Sequence, residues 1–224
     1  KNTYHAKYVI NASGLQADHI SGLVAPQTFK ITPRKGEYFV IDYTQPALVK
    51  HTIFPLPSSL GKGILVSPTY GGNYIVGPSS TVIDDKEDLS TDKPTLDEIK
   101  KSASLMVKNI PFHKVIRVFS GLRATPSTHD FVIEEPTPNF INVAGIESPG
   151  LASSPAIAKK VIEEFIAPKL KLFPKASFNP NVRPYHRFKK TSEEEWSKLI
   201  AQDRRYARMV CRCESVTEGE IRDM

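Results

Sequence analysis

The residues best suited to chemistry lie in the segment GIESPGLASSPAIA, residues 145–158. An apolar run, Phe140 to Val143, leads into Gly145, and Gly150 stands just before a predicted helix. A buried strand that turns through glycine into a helix N-terminus brings bare backbone, and N–H groups without intrahelical acceptors, to one place. Such a place suits an anionic or electron-accepting ligand group. Glycine turns before helices are also common as plain connections, so the residues alone leave both interpretations open.

Arg123 and Lys62 are candidate cations for binding an anionic substrate. The guanidinium of Arg123 is a planar fork that binds phosphate or carboxylate through two hydrogen bonds. Lys62 lies between two glycines in LGKGILV. Judged by residue type alone, a surface salt bridge for Arg123 and a solvated turn for Lys62 are the more ordinary roles.

Cys211 and Cys213 are the whole cysteine complement, and one residue separates them. Cysteines at this spacing seldom form a disulfide with each other, so a disulfide-stapled secreted domain is not expected. They are either reduced thiols or half of a four-cysteine site.

The chain has 224 residues, 40% of them hydrophobic, which allows one large domain or two modest ones. Its net charge is +6, and residues 167–224 hold 13 basic against 8 acidic residues, a surplus of five. These charges alternate with Glu193 to Glu195 and with prolines, without a basic stripe interleaved with aromatic residues. The composition predicts a solvated face with some attraction for small anions, and no nucleic-acid partner.

The apolar runs are all well short of the roughly 20 residues that cross a bilayer, and the start KNTYHAKYVINASG has no signal-peptide pattern. We therefore expect no transmembrane segment and a cytoplasmic location. A strand-like run begins almost at the first residue and a helix start lies at the last ones, so we expect a fragment of a longer protein.

Alternating apolar and polar residues predict a mainly antiparallel sheet from about residue 30 to 135. The Gly71-Gly72 pair between two apolar runs predicts a β-hairpin. The strand-like segments are GEYFVIDY, the two halves of GILVSPTYGGNYIVGP, VIRVFSGLR, DFVIEE and the fully buried FINVAG.

Three helices are predicted where capping residues precede an apolar period of 3.6 residues. Their starting pairs are Thr95 with Glu98, Ser154 with Pro155, and Ser192 with Glu195. The first helix should end near residue 109 and the second before Pro168. The prolines that follow indicate an extended linker, after which a separate module begins.

Three motifs, VINASG, GLRATPSTHDFVIEE and GIESPGLASSPAIA, closely resemble FAD-dependent oxidoreductases of the D-amino-acid-oxidase superfamily. The closest resemblance is to glycerol-3-phosphate dehydrogenases and oxidases and to their relatives acting on 2-hydroxyglutarate. The motifs occur in the family's order, with TPRKGEYFVID between the first two, and they cover residues 7–166.

The resemblance implies an α+β fold, with a mainly antiparallel substrate-domain sheet, flanking helices and a remnant of an FAD-binding α/β domain. In that remnant the strands near residues 8–11 and 140–144 should lie together. The implied divisions are 1–25 and 139–167 for the FAD-binding domain, 26–138 for the substrate domain, 168–191 for the linker and 192–224 for a last helix and the start of another domain.

The family's site residues transfer to matching positions of this sequence. The resemblance places the isoalloxazine ring against Gly145, Ile146, Ser148, Gly150 and Leu151, and the nucleotide half of FAD beside Asn11, Ala12 and Gly14. It makes Arg123 the residue that binds the substrate's anionic group, with Lys62 as a second cation and Ser148 within reach of the substrate. No catalytic base is assigned, since the family's base is usually sought in the part before residue 1.

Two family features are incomplete in this sequence. No GxGxxG motif occurs, so the phosphate-binding βαβ unit is expected upstream, and this chain by itself is not expected to hold FAD or to be active. The tail VCRCESVTEGEI resembles the opening of a [2Fe-2S] domain of the bacterioferritin-associated-ferredoxin type. Such a cluster needs four thiolates, so Cys211 and Cys213 are expected to be ligands only in the intact protein, together with a downstream cysteine pair.

Three hypotheses about function follow. The first is hydride transfer from C2 of sn-glycerol 3-phosphate to flavin, with Arg123 and Lys62 neutralising the phosphate. The second keeps the flavin chemistry but takes a 2-hydroxy acid, such as 2-hydroxyglutarate, or an amino acid. A second cation beside the anion favours the first, because a dianionic phosphate gains more from it than a carboxylate does. The third is a non-catalytic electron-transfer or binding module. The sequence leaves the exact substrate, the electron acceptor and the oligomeric state open.

Overall fold

The computed structural model describes residues 2–56, 63–181, 186–212 and 214–224. These residues form the expected mixed α+β fold. The strands are β1 (Val9–Asn11), β2 (Ile31–Ile41), β3 (Leu65–Pro68), β4 (Tyr74–Gly77), β5 (Thr81–Val82), β6 (Val115–Pro126), β7 (Val132–Thr137), β8 (Phe140–Ala144), β9 (Met209–Cys211) and β10 (Val216–Thr217). The α-helices are α1 (Ala17–Gly22), α2 (Lys93–Met106), α3 (Gly150–Lys160), α4 (Glu193–Gln202) and α5 (Glu218–Asp223).

The chain divides into two compact units. The first consists of Lys1–Glu37, Pro78–Leu96 and Phe119–Pro174, and the second of Tyr38–Gly77, Asp97–Val118 and Lys175–Met224. Strand β2 begins in the first unit and ends in the second. None of the helices in the described ranges is both long enough and apolar enough to cross a membrane.

In the first unit a three-stranded sheet has the order β1-β8-β7. β1 runs parallel to β8, with Val9 opposite Phe140 and Asn11 opposite Asn142, which confirms that these two strands lie together. β7 pairs with β8 in the antiparallel sense.

The two faces of β8 pack into different clusters, because side chains alternate between the faces along a strand. Ile141 packs in one buried cluster with Val161 and Ile166, the first and last residues of a π-helical turn that continues α3. Ala144 packs in a second buried cluster, with Ala17, Phe29, Ile31, Ala124 and Val132. The loop that follows β8 therefore starts from a strand that is packed on both faces.

Antiparallel pairing dominates the rest, as the sequence predicts. β2 pairs with β5 near Arg34, with β4 near Phe39, and also with β6. The predicted hairpin is present as β3 and β4 in the second unit, and Gly72 takes a φ of +90° in its turn. That backbone conformation favours glycine because it has no Cβ.

The C-terminal part of the second unit is built around aromatic rings. Trp196 contacts Phe188 and Tyr206 edge to face, with centroids 5.0 and 5.4 Å away. The predicted capping box of Ser192 and Glu195 is present at the start of α4. The buried Glu220 carboxylate accepts hydrogen bonds from the backbone N–H groups of Thr217 and Phe188, which joins α5 to this cluster.

The predicted starts of the other two helices are wrong. α2 begins at Lys93, and the carboxylate before it, Asp92, accepts bonds from the Thr95 N–H and hydroxyl at 2.8 and 2.9 Å. A carboxylate is a better acceptor than a hydroxyl, so Asp92 takes the capping role that the sequence pattern assigned to Thr95. The helix also ends earlier than predicted, at Met106.

α3 begins at Gly150, so Pro155 lies inside the helix instead of starting it. Proline has no N–H for the carbonyl four residues back, which is that of Leu151. The Ser154 hydroxyl donates to this carbonyl at 2.9 Å. The Ser-Pro pair therefore repairs a helix interior, which moves the helix N-terminus one turn closer to β8.

Candidate functional site

The loop that follows β8 is closed on itself around Glu147. The Glu147 N–H donates to the Gly145 carbonyl at 3.0 Å, and the Glu147 carbonyl accepts from the Gly150 N–H at 2.6 Å. Gly145 has a φ of +63°, and a Cβ added to it would lie 2.6 Å from Pro126 Cβ. Both the backbone conformation and the contact with β6 therefore require glycine at residue 145.

The surface beyond this loop is open. Ser148 is exposed, Leu151 is 93% exposed, and none of the residues of α3 is buried. A fully exposed leucine beside a helix N-terminus fits contact with a large ligand that has an apolar body and an electron-accepting edge. The residues predicted to lie against the isoalloxazine thus share one segment, and all of them except the buried Gly145 are at least partly exposed, which fits contact with that ring.

Gly150 has a local packing reason to be glycine. A Cβ added there would lie 2.6 Å from Cγ2 of Ile146. The resemblance places this glycine against the flavin ring, whereas its close neighbour inside the chain is the Ile146 side chain. A larger residue would displace Ile146, which is itself a predicted ring contact.

At the end of β1, the three predicted nucleotide contacts have different surroundings. The Asn11 side chain is buried, and its amide donates to the Ala17 carbonyl at 2.8 Å and to the Asn142 side chain at 2.9 Å. Ala12 and Gly14 are exposed, and Gly14 has a φ of +60° with open space around a built Cβ. Asn11 therefore holds the turn, and the backbone at Ala12 and Gly14 is accessible to a ligand.

Arg123 lies on β6 and is anchored by the segment that carries Ser79. Its Nη2 donates to the Ser79 carbonyl at 3.1 Å. A Cβ added at Gly36 would lie 3.6 Å from this nitrogen and 2.9 Å from Pro78 Cβ, so Gly36 lets the 78–79 segment approach β2. A guanidinium has five N–H donors, and the bond to Ser79 uses one of them.

The segment that carries Ser79 is tied to β2 by further bonds. The Ser79 hydroxyl accepts from the Glu37 N–H at 2.9 Å, and the Ser79 N–H donates to the Glu37 carbonyl at 3.2 Å. The Glu37 side chain is 1% exposed and accepts from the Asp92 N–H at 3.1 Å, and its burial raises the pKa of the carboxyl group. Ser79 and Glu37 support Arg123, and the sequence did not reveal either of them.

An ion pair ties β2, two residues before Glu37, to the chain between β5 and α2. Lys35 donates to Asp88 at 2.9 Å. The pKa of Asp88 falls to about 2, first because Ser90 donates to it and then because of Lys35. The pKa of Lys35 is raised, chiefly by the same bond to Asp88.

The structure brings the Arg123 strand and the glycine loop together. The Thr125 hydroxyl donates to Glu147 Oε2 at 2.8 Å, and Pro126 packs against Gly145. The substrate candidate Arg123 and the cofactor candidates 145–151 are therefore parts of one arrangement in the first unit.

Two predicted residues, Lys62 and Cys213, lie outside the described residues. Cys211 is a half-buried free thiol on β9. Within the described ranges, no group of three or more His, Cys, Asp or Glu side chains is placed to hold a metal ion.

A family model for FAD dependent oxidoreductases (DAO) matches residues 1–164, which include β1, the Arg123 strand, the glycine loop and the whole of α3. The chain belongs to this family. Its fold and the motifs at residues 7–166 are therefore those of FAD-dependent oxidoreductases.

Two curated relatives are similar to the chain. A glycerol 3-phosphate dehydrogenase of Caloramator mitchellensis is 45% identical over 223 residues, which cover 99% of this chain and 46% of the relative. A glycerol 3-phosphate oxidase of Mycoplasma genitalium is 37% identical over 182 residues, which cover 80% of this chain and 47% of the relative. The chain thus spans about half the length of these relatives.

A solved structure of a glycerophosphate oxidase is also similar to the chain. The dithionite-reduced L-alpha-glycerophosphate oxidase from Mycoplasma pneumoniae, with FAD bound, superposes with a TM-score of 0.64 at 31% identity. The match covers 69% of this chain and 41% of that one.

Proposed function

We propose that the protein to which this chain belongs oxidises sn-glycerol 3-phosphate at C2 to dihydroxyacetone phosphate. FAD, when bound, accepts the hydride that leaves C2, and the C2 hydroxyl loses a proton to a base that we do not assign. The observation that carries the proposal is the arrangement on β6, where Arg123 is anchored by Ser79 and Thr125 binds the loop of residues 145–151. The relative that is 45% identical over nearly the whole chain supports the choice of substrate.

In this proposal each described site residue has a role that its surroundings support, and Lys62 keeps the role that the resemblance implies. Arg123 binds the phosphate through a charge-assisted fork, and Lys62 adds a second cation. Ser148, exposed in the loop, lies within reach of the substrate. The backbone of residues 145–151 and the start of α3 bind the isoalloxazine edge on which negative charge develops. Ala12 and Gly14 border the nucleotide half, and Asn11 holds the turn that carries them.

The alternative within the same chemistry is a 2-hydroxy acid or amino acid whose carboxylate binds Arg123. The two substrate classes are separated by anaerobic mixing of the full-length protein with sn-glycerol 3-phosphate, glycerol or L-2-hydroxyglutarate while the visible flavin band is followed. We expect rapid bleaching by the first and none by glycerol, because glycerol lacks the anion that Arg123 binds. Bleaching by L-2-hydroxyglutarate alone would replace the proposed substrate.

We further propose that the tail opens a [2Fe-2S] domain of the full-length protein, with Cys211 and Cys213 as two of four thiolate ligands. The support for this is the tail sequence VCRCESVTEGEI, in which Cys211 is a half-buried free thiol at the end of β9. A cluster would add visible absorption that persists after the flavin is removed, and an electron paramagnetic resonance signal on reduction. Loss of both in Cys211→Ser, with the flavin retained, is the expected result.

We also propose that the intact protein has the domain divisions given above and a cytoplasmic location.

A further inference from the structure

Thr125 and Glu147 form a contact that none of the proposed binding roles uses. Thr125 Oγ1 donates to Glu147 Oε2 at 2.8 Å, and both residues are half-buried. They are 22 positions apart in the chain, so the bond joins two separate segments of the first unit.

The contact lies on the same face of β6 as Arg123. Residues two apart on a strand point to the same face and lie about 6.8 Å apart along it, so Thr125 and Arg123 emerge side by side. A bond from Thr125 to the glycine loop therefore sets the loop's distance from the anion-binding residue.

Glu147 is well placed to control the whole loop. Its backbone N–H and carbonyl bond to Gly145 and Gly150, so both ends of the loop are tied to this residue. Pro126 against Gly145 is a second attachment to β6, one residue beyond Thr125. Two attachments at adjacent positions of β6 fix the loop's orientation relative to Arg123 as well as its distance from Arg123.

We propose that Thr125 and Glu147 are positioning residues, which hold the flavin-binding loop at a set distance and orientation from Arg123. This inference rests on the proposed function of these two sites. Hydride transfer needs the reacting atoms about 3–3.5 Å apart, and a misplacement of about 1 Å can cost as much as 100-fold in rate. In this arrangement Arg123 holds the substrate by its anion, and the loop holds the flavin. A change in the distance between Arg123 and the loop therefore changes the distance between the reacting carbon and the flavin.

The test compares four variants in the full-length holoprotein. Thr125→Val keeps the shape and the β-branch but removes the donor, and Thr125→Ser keeps the donor. Glu147→Ala removes the acceptor, and Glu147→Gln keeps an amide oxygen that can accept from Thr125. The readouts are hydrogen exchange of residues 145–151, the rate of flavin reduction by whichever candidate substrate bleaches the flavin, the KM for that substrate and the FAD content.

For Thr125→Val we expect faster exchange in the loop and about a 10-fold slower flavin reduction, while KM stays within about twofold and FAD is retained. Thr125→Ser should behave almost as wild type, and Glu147→Gln should fall between. Glu147→Ala added to Thr125→Val should cost little more than either change alone, because both remove the same bond.

Unchanged loop exchange in Thr125→Val overturns the inference, and so does unchanged flavin reduction in a variant whose loop exchange has risen. A uniform loss of FAD in all variants also overturns it, because it shows a role in stability instead of positioning. If glycerol 3-phosphate does not reduce the flavin of the wild-type protein, the proposed substrate is wrong. The comparison of hydrogen exchange between variants still decides whether the bond from Thr125 to Glu147 holds the loop.

Discussion

Gly36→Ala should misplace Arg123 by displacing the segment that anchors it. The added Cβ would lie 2.9 Å from Pro78 Cβ and 3.2 Å from the Ser79 carbonyl oxygen, whereas ordinary contact begins at 3.4 Å. The 78–79 segment must therefore retreat by about 0.5 Å. If Arg123 does not follow, its separation from the Ser79 carbonyl grows from 3.1 Å to about 3.6 Å, which is too long for a hydrogen bond.

The cost can be bounded from that lost bond. A hydrogen bond to a charged group contributes about 1.5–3 kcal/mol, which corresponds to roughly 10- to 150-fold in an equilibrium constant. This range is the upper limit for the effect on kcat/KM, because Arg123 retains its charge and other donors. We expect kcat/KM for glycerol 3-phosphate to fall by about 10-fold, with the FAD content unchanged.

Gly22→Ala is the matched control for this prediction. Gly22 has nothing within 4 Å of a built Cβ, so the substitution has the same effect on the unfolded chain but makes no clash. Steady-state kinetics per bound flavin should show the loss for Gly36→Ala only. A Gly36→Ala protein with wild-type kcat/KM would refute the idea that the Ser79 segment aims Arg123, as would an equal loss in Gly22→Ala.

Three further predictions concern single residues of the site and its support. Arg123→Ala should cost about 1.5–3 kcal/mol or more in kcat/KM with flavin content unchanged, and loss of flavin with normal turnover per flavin would contradict the assignment. Gly150→Val should displace Ile146 and thereby lower the FAD occupancy or the flavin reduction potential, while the protein still folds. A variant with wild-type FAD occupancy, potential and turnover would show that the loop only connects β8 to α3. The depressed pKa of Asp88, about 2, stabilises the fold above pH 3.8, the ordinary pKa of an aspartate, and this stabilisation should vanish as the pH falls toward 2. Thermal unfolding should accordingly show a Tm deficit for Asp88→Asn at neutral pH that shrinks through this window, and a deficit that is constant with pH would argue against the Lys35 pairing.

Features coded by neighbouring residues could be predicted from the sequence. The hairpin of β3 and β4 depends on a glycine turn between two apolar runs, and the start of α4 depends on a capping box that spans four residues. Their geometry is decided within a few residues, so tertiary context adds little.

The two misplaced helix starts show where local patterns fail. Thr95 and Ser154 both match capping patterns, yet neither caps its helix. The Asp92 carboxylate takes the capping position near Thr95, and the Ser154 hydroxyl donates to a carbonyl inside the helix. Several residues near a helix end satisfy the same pattern. Which of them becomes the cap depends on the direction from which the chain enters the helix, and packing decides that direction.

For the candidate site, the sequence by itself determined the chemical types and their order along the chain. It supplied a guanidinium at Arg123, a glycine loop leading into a helix, and the resemblance that names their roles. It could not supply the contacts that aim them. Arg123 meets Ser79 across 44 positions, and Thr125 meets Glu147 across 22. Contacts at such separations follow from which strands pair and from the register in which they pair, and a shift of one residue would turn each of these side chains to the opposite face of the sheet.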